Sequence, residues 1–380
     1  MQTSSENRSK PIKIQLASGQ VFEMTPEFIN TVLCAEFEQD GAAVLAIQLE
    51  QLAEESKFNA VLYRLHLTYH QPNENAPKSL IAKLPTARTE LYELAQVFQP
   101  GTRENWFYRA AAAQSPLRVP RCYFEDTDLS TGESVLLLED LSHATSGNWM
   151  AGATIEQARL ALQSLASLHS RWWGQDQSEE IWELNQLLSG NSENETDLVQ
   201  DLFDDAWPKF VDQTETALPK DVHQLGEAIV GNMQMVDDFI DPGSPTLVHG
   251  DYRIDNMLFG EKDGEPICWV VDWADVYFGS GMIDVSWFLG GCLPVEEVHH
   301  EKDLLRFYHQ ELLSNGVENY SWVQCYVDYC SAMYSSFVQG VLAATLEANP
   351  SDQERGFART ISERFISAAV RLRLAEQIDL

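Results

Sequence analysis

The chain has 380 residues, too many for one simple hydrophobic core and enough for two lobes. Hydrophobic residues make up 44% and aromatics 10%, so a large core can form, yet no apolar run reaches the roughly 18–20 residues that cross a bilayer. Lys and Arg number 25 against 58 Asp and Glu, a formal net charge of −33, which argues against nucleic acid as a partner because phosphate backbones need basic residues.

In chain order, the opening "MQTSSENRSKPIKI" has no apolar segment of the secretory kind, so the expected location is cytoplasmic; residues 1–10 read as a loose terminus. "TPEFINTVLCAEF" starts a helix, with Thr25 as N-cap and Pro26 at the first helical position. Residues 44–52 and 60–69 read as a strand pair, and "HQPNENAPK" as a turn-rich loop. "SLIAKLP" reads as a short strand holding a lone Lys83 among apolar neighbours, an arrangement that is costly unless the charge is paired. "ELYELAQVF" and "RENWFYRAAAAQ" read as helical, and "VPRCYFEDTD" and "SVLLLEDL" as two further strands. After Leu141 the character changes. "TIEQARLALQSLASLHSRWW" has helical apolar spacing behind a Thr154 cap, and helical patterns dominate to the C-terminus, apart from a β insert around residues 246–273. The predicted architecture is α+β: a β-rich N-terminal lobe over residues 1–141, a hinge near Glu139 to Ser142, and a mostly helical C-terminal lobe over residues 142–380.

Charge divides unevenly between these lobes. Residues 1–141 hold 12 basic and 19 acidic residues, net −7, and residues 142–380 hold 13 and 39, net −26. A solubilising surface is the plain account, and attraction of cations the sharper one. Six cysteines (Cys34, Cys122, Cys268, Cys292, Cys325 and Cys330) form no CxxC pair and read as buried free thiols. His299 and His300 have no partners at metal-ligand spacing in the sequence and read as surface residues. His169, on the apolar face of its helix, reads as a core histidine. Trp172, Trp173, Trp273 and Trp287 read as core, with an aromatic box for a quaternary ammonium as the alternative.

The densest polar stretch is "LVHGDYRIDNMLFG", residues 247–260, which sets one His, one Arg, two Asp and one Asn between apolar runs. A second apolar strand, "CWVVDWADVYFG", carries Asp272. A hairpin through "GEKDGEPI" would bring Asp251, Asn256 and Asp272 toward one cleft. Two carboxylates and an amide oxygen suit Mg²⁺, and a carboxylate beside a hydroxyl is what phosphoryl transfer uses. The plain alternative makes these three turn and cap residues, and Arg253 a surface residue.

"HGDYRIDN" followed by "VVDWAD" resembles the catalytic and metal-binding segments of aminoglycoside phosphotransferase-like and choline-kinase-like enzymes, within them the branch of ecdysteroid kinase-like proteins. "LIAKL" resembles their strand whose Lys holds ATP phosphates, "RENWFY" the helix whose Glu pairs with that Lys, "VLLLEDL" the hinge strand that faces adenine, and "SLASLHSRWW" the helix after it. The resemblance covers about residues 55–290 and implies a bilobal protein-kinase-like fold. It also implies an ATP-dependent phosphotransferase that moves the γ-phosphate to a hydroxyl of a small molecule, with ATP and Mg²⁺. Carried over residue by residue, Asp251 is the base, Arg253 neutralises charge near the phosphoryl group, and His249 supports the turn. Asn256 and Asp272 hold Mg²⁺, Lys83 contacts the phosphates and is positioned by Glu104, and Glu139 and Leu141 lie at the adenine hinge. Asp255 has a lesser role as a turn cap, and Asp284 resembles an Asp that braces the catalytic loop or starts the next helix. One departure is the loop "LAEESKFNAV", which has no glycine where a phosphate cradle is commonly glycine-rich and instead carries Glu54 and Glu55. A catalytically inactive kinase-like binding protein is the alternative. A protein kinase is disfavoured because no APE-like segment follows Asp272. The acidic C-terminal lobe favours a neutral or cationic acceptor.

Overall fold

A computed structural model describes residues 11–15, 19, 21–37, 43–52, 60–71, 74–85, 98–129, 131–188, 192–214, 218–240, 245–345 and 352–377. Two compact units divide the chain: Met1–Ala113 with Val119–His143, and Gln114–Arg118 with Ala144–Leu380. The division thus falls two residues past the expected 141/142, and the short segment Gln114–Arg118 joins the second unit.

In the first unit, β1 (Ile12–Gln15) and β2 (Val21–Met24) form an antiparallel pair. Helix Pro26–Phe37 follows, and Thr25 Oγ1 accepts the Phe28 N–H at 3.0 Å, as its N-cap position requires. The main sheet consists of β3 (Val44–Gln51), β4 (Ala60–Tyr69), β5 (Ser79–Pro85), β6 (Cys122–Asp128) and β7 (Glu133–Glu139), antiparallel throughout in the order β3-β4-β5-β7-β6. Strand alternation sorts β5: Leu80, Ala82 and Leu84 enter a core with Met24, Ile29, Leu33, Ile47, Leu65 and Leu137, so Lys83 points to the other face. The predicted helix "RENWFYRAAAAQ" is helical but changes pitch, from α over Pro100–Trp106 to a π turn over Phe107–Ala111 and a 3₁₀ turn over Ala112–Gln114. The predicted helix "ELYELAQVF" lies almost wholly outside the described residues, as does the tip of the glycine-free loop, 53–59.

In the second unit, Thr154 and Gln157 form a reciprocal capping box that starts helix Ile155–Trp172. Five short strands surround the polar stretch. β8 (Thr145–Ser146) and β11 (Glu265–Val270) flank β10 (Met257–Lys262), while β9 (Thr246–Val248) pairs with β12 (Tyr277–Gly279). The β insert therefore runs to Gly279 rather than ending near 273; three residues carry too little local signal, and β12 owes its form to the partner it finds 29 residues earlier at Val248. The β10–β11 turn sets Asp263 and Gly264 at φ 55° and 84°, the left-handed pair a two-residue hairpin favours. Helix Met282–Cys292 is buried along its whole length and packs on helices Trp322–Thr345 and Asp352–Arg371. Among the described residues no helix is long and apolar enough to cross a membrane. Cys122, Cys268, Cys292, Cys325 and Cys330 are free thiols. Cys268, Cys292, Cys325 and Cys330 are buried and Cys122 is half-buried. Burial pushes Cys122, Cys268, Cys292 and Cys325 up to about 12 and Cys330 up to about 11.

Candidate active site

The strand pairing brings the two polar turns together. Since β9 pairs with β12 and β10 with β11, the connections 249–256 and 271–276 run side by side between the same two strand pairs. The Val271 N–H donates to the Asn256 carbonyl at 3.0 Å, and His249 Nε2 lies 3.1 Å from the Val271 carbonyl. Gly250 takes φ 87°, and a Cβ there would lie 2.3 Å from the Asp275 carbonyl, so only glycine fits between the turns.

Asp251 stands at the centre. Its Oδ2 accepts from Asn256 Nδ2 at 3.0 Å, and its Oδ1 accepts from the Trp287 indole N–H at 3.0 Å. Asn256 Nδ2 also donates to the Asp251 carbonyl at 2.9 Å, which turns its Oδ1 away from that contact. The loop is gripped from below by Asp284, fully buried. Its Oδ2 accepts the His249 N–H at 2.7 Å and its Oδ1 the Gly250 N–H at 2.9 Å. His169 Nε2 lies 3.2 Å from Asp284 Oδ2, and its Nδ1 lies 2.6 Å from the Tyr308 hydroxyl. Tyr252, also fully buried, ties the loop to helix Ile155–Trp172 through its hydroxyl on the Ala161 carbonyl, 2.7 Å away. His249 is thus a buried support: it contacts Val271, Asp251 N–H and Asp284, with its ring against Tyr252 and Trp273.

Arg253 is not a plain surface residue. Its Nε lies 3.0 Å from Asp251 Oδ2 and 3.3 Å from Asp255 Oδ1, and its guanidinium sits 4.7 Å from the Trp149 ring centroid. The ion pairs lack hydrogen-bond alignment, and both Arg253 Nε and Asp255 Oδ1 are buried without a hydrogen-bond partner. Burial alone would lower the guanidinium pKa; the carboxylates of Asp251, Asp255 and Asp272 outweigh it and raise it. For Asp255 burial is the largest influence and raises the carboxyl pKa; Asp251 and Asp272 add to the rise against Arg253. Asp272 itself has φ 65°, a left-handed backbone uncommon outside glycine and tolerated by Asp. Three carboxylates around one guanidinium leave surplus negative charge. With the amide oxygen of Asn256 and the orphaned Asp255 oxygen, this donor set fits a hard divalent cation.

In the first unit, Lys83 Nζ lies 2.6 Å from Glu104 Oε2, with the side chains 19% and 3% exposed. The pair exists because Lys83 points away from the core cluster and helix Pro100–Trp106 packs on β6 and β7. Glu139 ends β7 with its polar groups engaged by Arg121: its N–H donates to the Arg121 carbonyl at 2.8 Å and its Oε2 accepts the Arg121 N–H at 3.2 Å. Leu141, just beyond, is buried.

Trp287, which sequence reasoning left in the core, and Trp149, which it did not single out, are the side chains it missed at this loop. Periodicity reports that a residue is buried, not where its one polar atom points. His299 and His300 also gain a neighbour that spacing alone did not suggest: Glu297 joins them on the 3₁₀ turn Val295–His300, with ligand atoms of all three within 4.8 Å of one another.

Comparison with known proteins places these features. The sequence profile of the ecdysteroid kinase-like family matches residues 54–317. No curated protein matches the chain. Among solved structures, a protein from Ralstonia eutropha JMP134 assigned as an aminoglycoside phosphotransferase is similar at 15% identity and TM-score 0.50, over 92% of this chain and 98% of that one. Choline kinase from Cryptosporidium parvum Iowa II is similar at 11% identity and TM-score 0.51, over 93% and 96%. Plasmodium vivax ethanolamine kinase is similar at 9% identity and TM-score 0.51, over 92% and 90%. At these identities the likeness establishes the protein-kinase-like fold.

Proposed function

Because the chain belongs to the ecdysteroid kinase-like family, we propose that it transfers the γ-phosphoryl group of ATP to a hydroxyl of a small molecule. The observation that carries this reading is the posture of Asp251: an accessible carboxylate, 24% exposed, fixed by Asn256 and Trp287 on a loop clamped by a buried Asp284. In phosphoryl transfer little covalent work falls to the protein, so positioning and charge dominate. Asp251 would orient the acceptor O–H and take its proton as the acceptor oxygen bonds to the γ-phosphorus and the bond to the ADP oxygen breaks. Asn256 through Oδ1 and Asp272 through its carboxylate would hold Mg²⁺, which when bound offsets the charge of the phosphates. Lys83, paired with Glu104, would bind ATP phosphates, and Glu139 and Leu141 would meet adenine. Arg253 would supply positive charge beside Asp251 while holding the turn against Trp149. The net −26 of residues 142–380 favours a neutral or cationic acceptor over an anionic one. A cytoplasmic site of action is part of the same reading.

The test is a screen of hydroxylated metabolites for ATP consumption with Asp251→Asn as the blank. Turnover is expected to fall by about 10²–10⁴ in the variant, the range for losing a general base. Wild-type turnover in the variant, or no phosphorylated product from any acceptor class, overturns the reading.

A further inference from the structure

We infer that Trp287 is the positioning residue that sets the carboxylate plane of Asp251; the inference rests on the reading of Asp251 as the base. The two oxygens are held separately, Oδ2 by Asn256 and Arg253 and Oδ1 by the Trp287 indole N–H at 3.0 Å. Without the indole, the carboxylate keeps partners on one oxygen only and can turn about its Cβ–Cγ bond. With it, rotation breaks a bond on either side. An indole N–H donates and never accepts, so it orients the base without competing for the proton that the base takes.

The indole is itself fixed. Trp287 is 4% exposed, stacks on Phe365 at 5.1 Å and 18°, and meets Trp149 edge-on at 5.5 Å. Asp251 is the accessible member, so Trp287 acts on the acceptor only through it. Trp287 also lies three residues after Asp284, one turn along the same face of helix Met282–Cys292. That single buried helix therefore holds the loop twice. Asp284 takes the backbone N–H groups of His249 and Gly250, and Trp287 takes the side chain of the next residue. Burial alone does not call for this donor, because a phenyl ring would fill most of the same stacked space.

Two measurements test it on the full-length protein. The first reads the contact without turnover. Indole ¹⁵N–¹H signals are recorded from the ten tryptophans, with that of Trp287 identified by its loss in Trp287→Phe. In Asp251→Ala the Trp287 signal is expected to shift upfield and exchange faster with solvent while Trp207, bonded to Glu227, does not move. A stationary Trp287 signal overturns the inference. The second uses magnesium-ATP with water as acceptor. Trp287→Phe is expected to lower kcat about tenfold, the scale of one hydrogen bond to a charged group, with KM for ATP changed less than about twofold. Should the Phe variant fold poorly, 3-benzothienylalanine at position 287 replaces the N–H by sulfur in the same shape and should give the same loss. The double variant Asp251→Asn with Trp287→Phe should be no slower than Asp251→Asn alone, because both changes act through one carboxylate. Additive losses, or full kcat with the benzothienyl side chain, overturn the positioning role. Full kcat in Asp251→Asn instead sinks the base assignment, a different failure.

Discussion

Lys83 in the first unit and Arg253 in the second are both cations held by carboxylates, and they differ in balance. Lys83 meets a buried carboxylate, Glu104, at 2.6 Å. Arg253 faces Asp251, Asp255 and Asp272, with its Nε unaligned to any acceptor. The Lys83–Glu104 contact sets one charge of each sign together, whereas a surplus of carboxylates calls for further positive charge. The contrast teaches that the carboxylates around Arg253 repel one another where they stand, and that something rigid must hold them. Helix Met282–Cys292 does so through Asp284 and Trp287.

The sharpest way to break the comparison is to remove that grip. Asp284→Ala leaves the His249 and Gly250 N–H groups and His169 facing an empty buried site. The expected loss is about 3–5 kcal/mol, as for a broken buried pair, seen as a large drop in the urea midpoint. A midpoint near wild type would show that the carboxylate surplus needs no clamp. Lys83→Met comes next. It removes the cation beside a carboxylate only 3% exposed, and because Lys83 is 19% exposed the loss should lie near the low end of that same range. Adding Glu104→Gln should restore most of the stability, since removing both charges of a buried pair is often nearly neutral. A double variant weaker than Lys83→Met would show that the two are not a balanced pair.

Magnesium sharpens the contrast from the other side. If the surplus belongs to a cation, Mg²⁺ at a hundred times its Kd should stabilise the wild type by about 2.7 kcal/mol in thermal unfolding. Asp272→Ala should lose that gain, and Lys83→Met should keep it. An equal gain in the wild type and Asp272→Ala removes Asp272 from the metal set.

Much of this organisation was legible. The Thr25 and Thr154 caps, the alternation that turns Lys83 away from the core, and the hairpin that brings Asn256 and Asp272 together all follow from local pattern. What was not legible depends on tertiary direction. β12 is too short to signal itself, Trp287 looks like any core aromatic in "VSWFL", and the pairing of His169 with Asp284 spans 115 residues. Hydrophobic spacing says that such side chains are inside; only packing says which polar atom they turn toward.

The smallest expected effect tests the balance argument within one residue type. Asp140 and Asp255 are both partly enclosed carboxylates, yet their pKa values move in opposite directions. Burial pushes Asp140 up, but the Ser79 hydroxyl at 2.6 Å, Arg64 Nε at 2.8 Å and the Ser142 N–H at 3.0 Å outweigh it and leave the carboxyl below its usual 3.8. Burial also pushes Asp255 up, and there Asp251 and Asp272 oppose the relief from Arg253 and leave it above 3.8. The native state thus binds fewer protons than the unfolded chain at Asp140 and more at Asp255. Asp140 adds stability that is present above pH 3.8 and is lost as pH falls through its lower folded value. Asp255 does the reverse, subtracting stability as pH rises from 3.8 through its higher folded value. In chelator, to keep metal from the surplus, Asp140→Asn should therefore be slightly less stable than wild type at pH 7, by under about 1 kcal/mol, with the gap closing in acid. Asp255→Asn should be slightly more stable at pH 7, with its gap closing below about pH 4. Chemical unfolding of the three proteins between pH 3 and 7 decides it. If both variants shift in the same direction at pH 7, the two carboxylates share one environment, and the contrast between a satisfied Asp140 and an overcharged Asp255 fails.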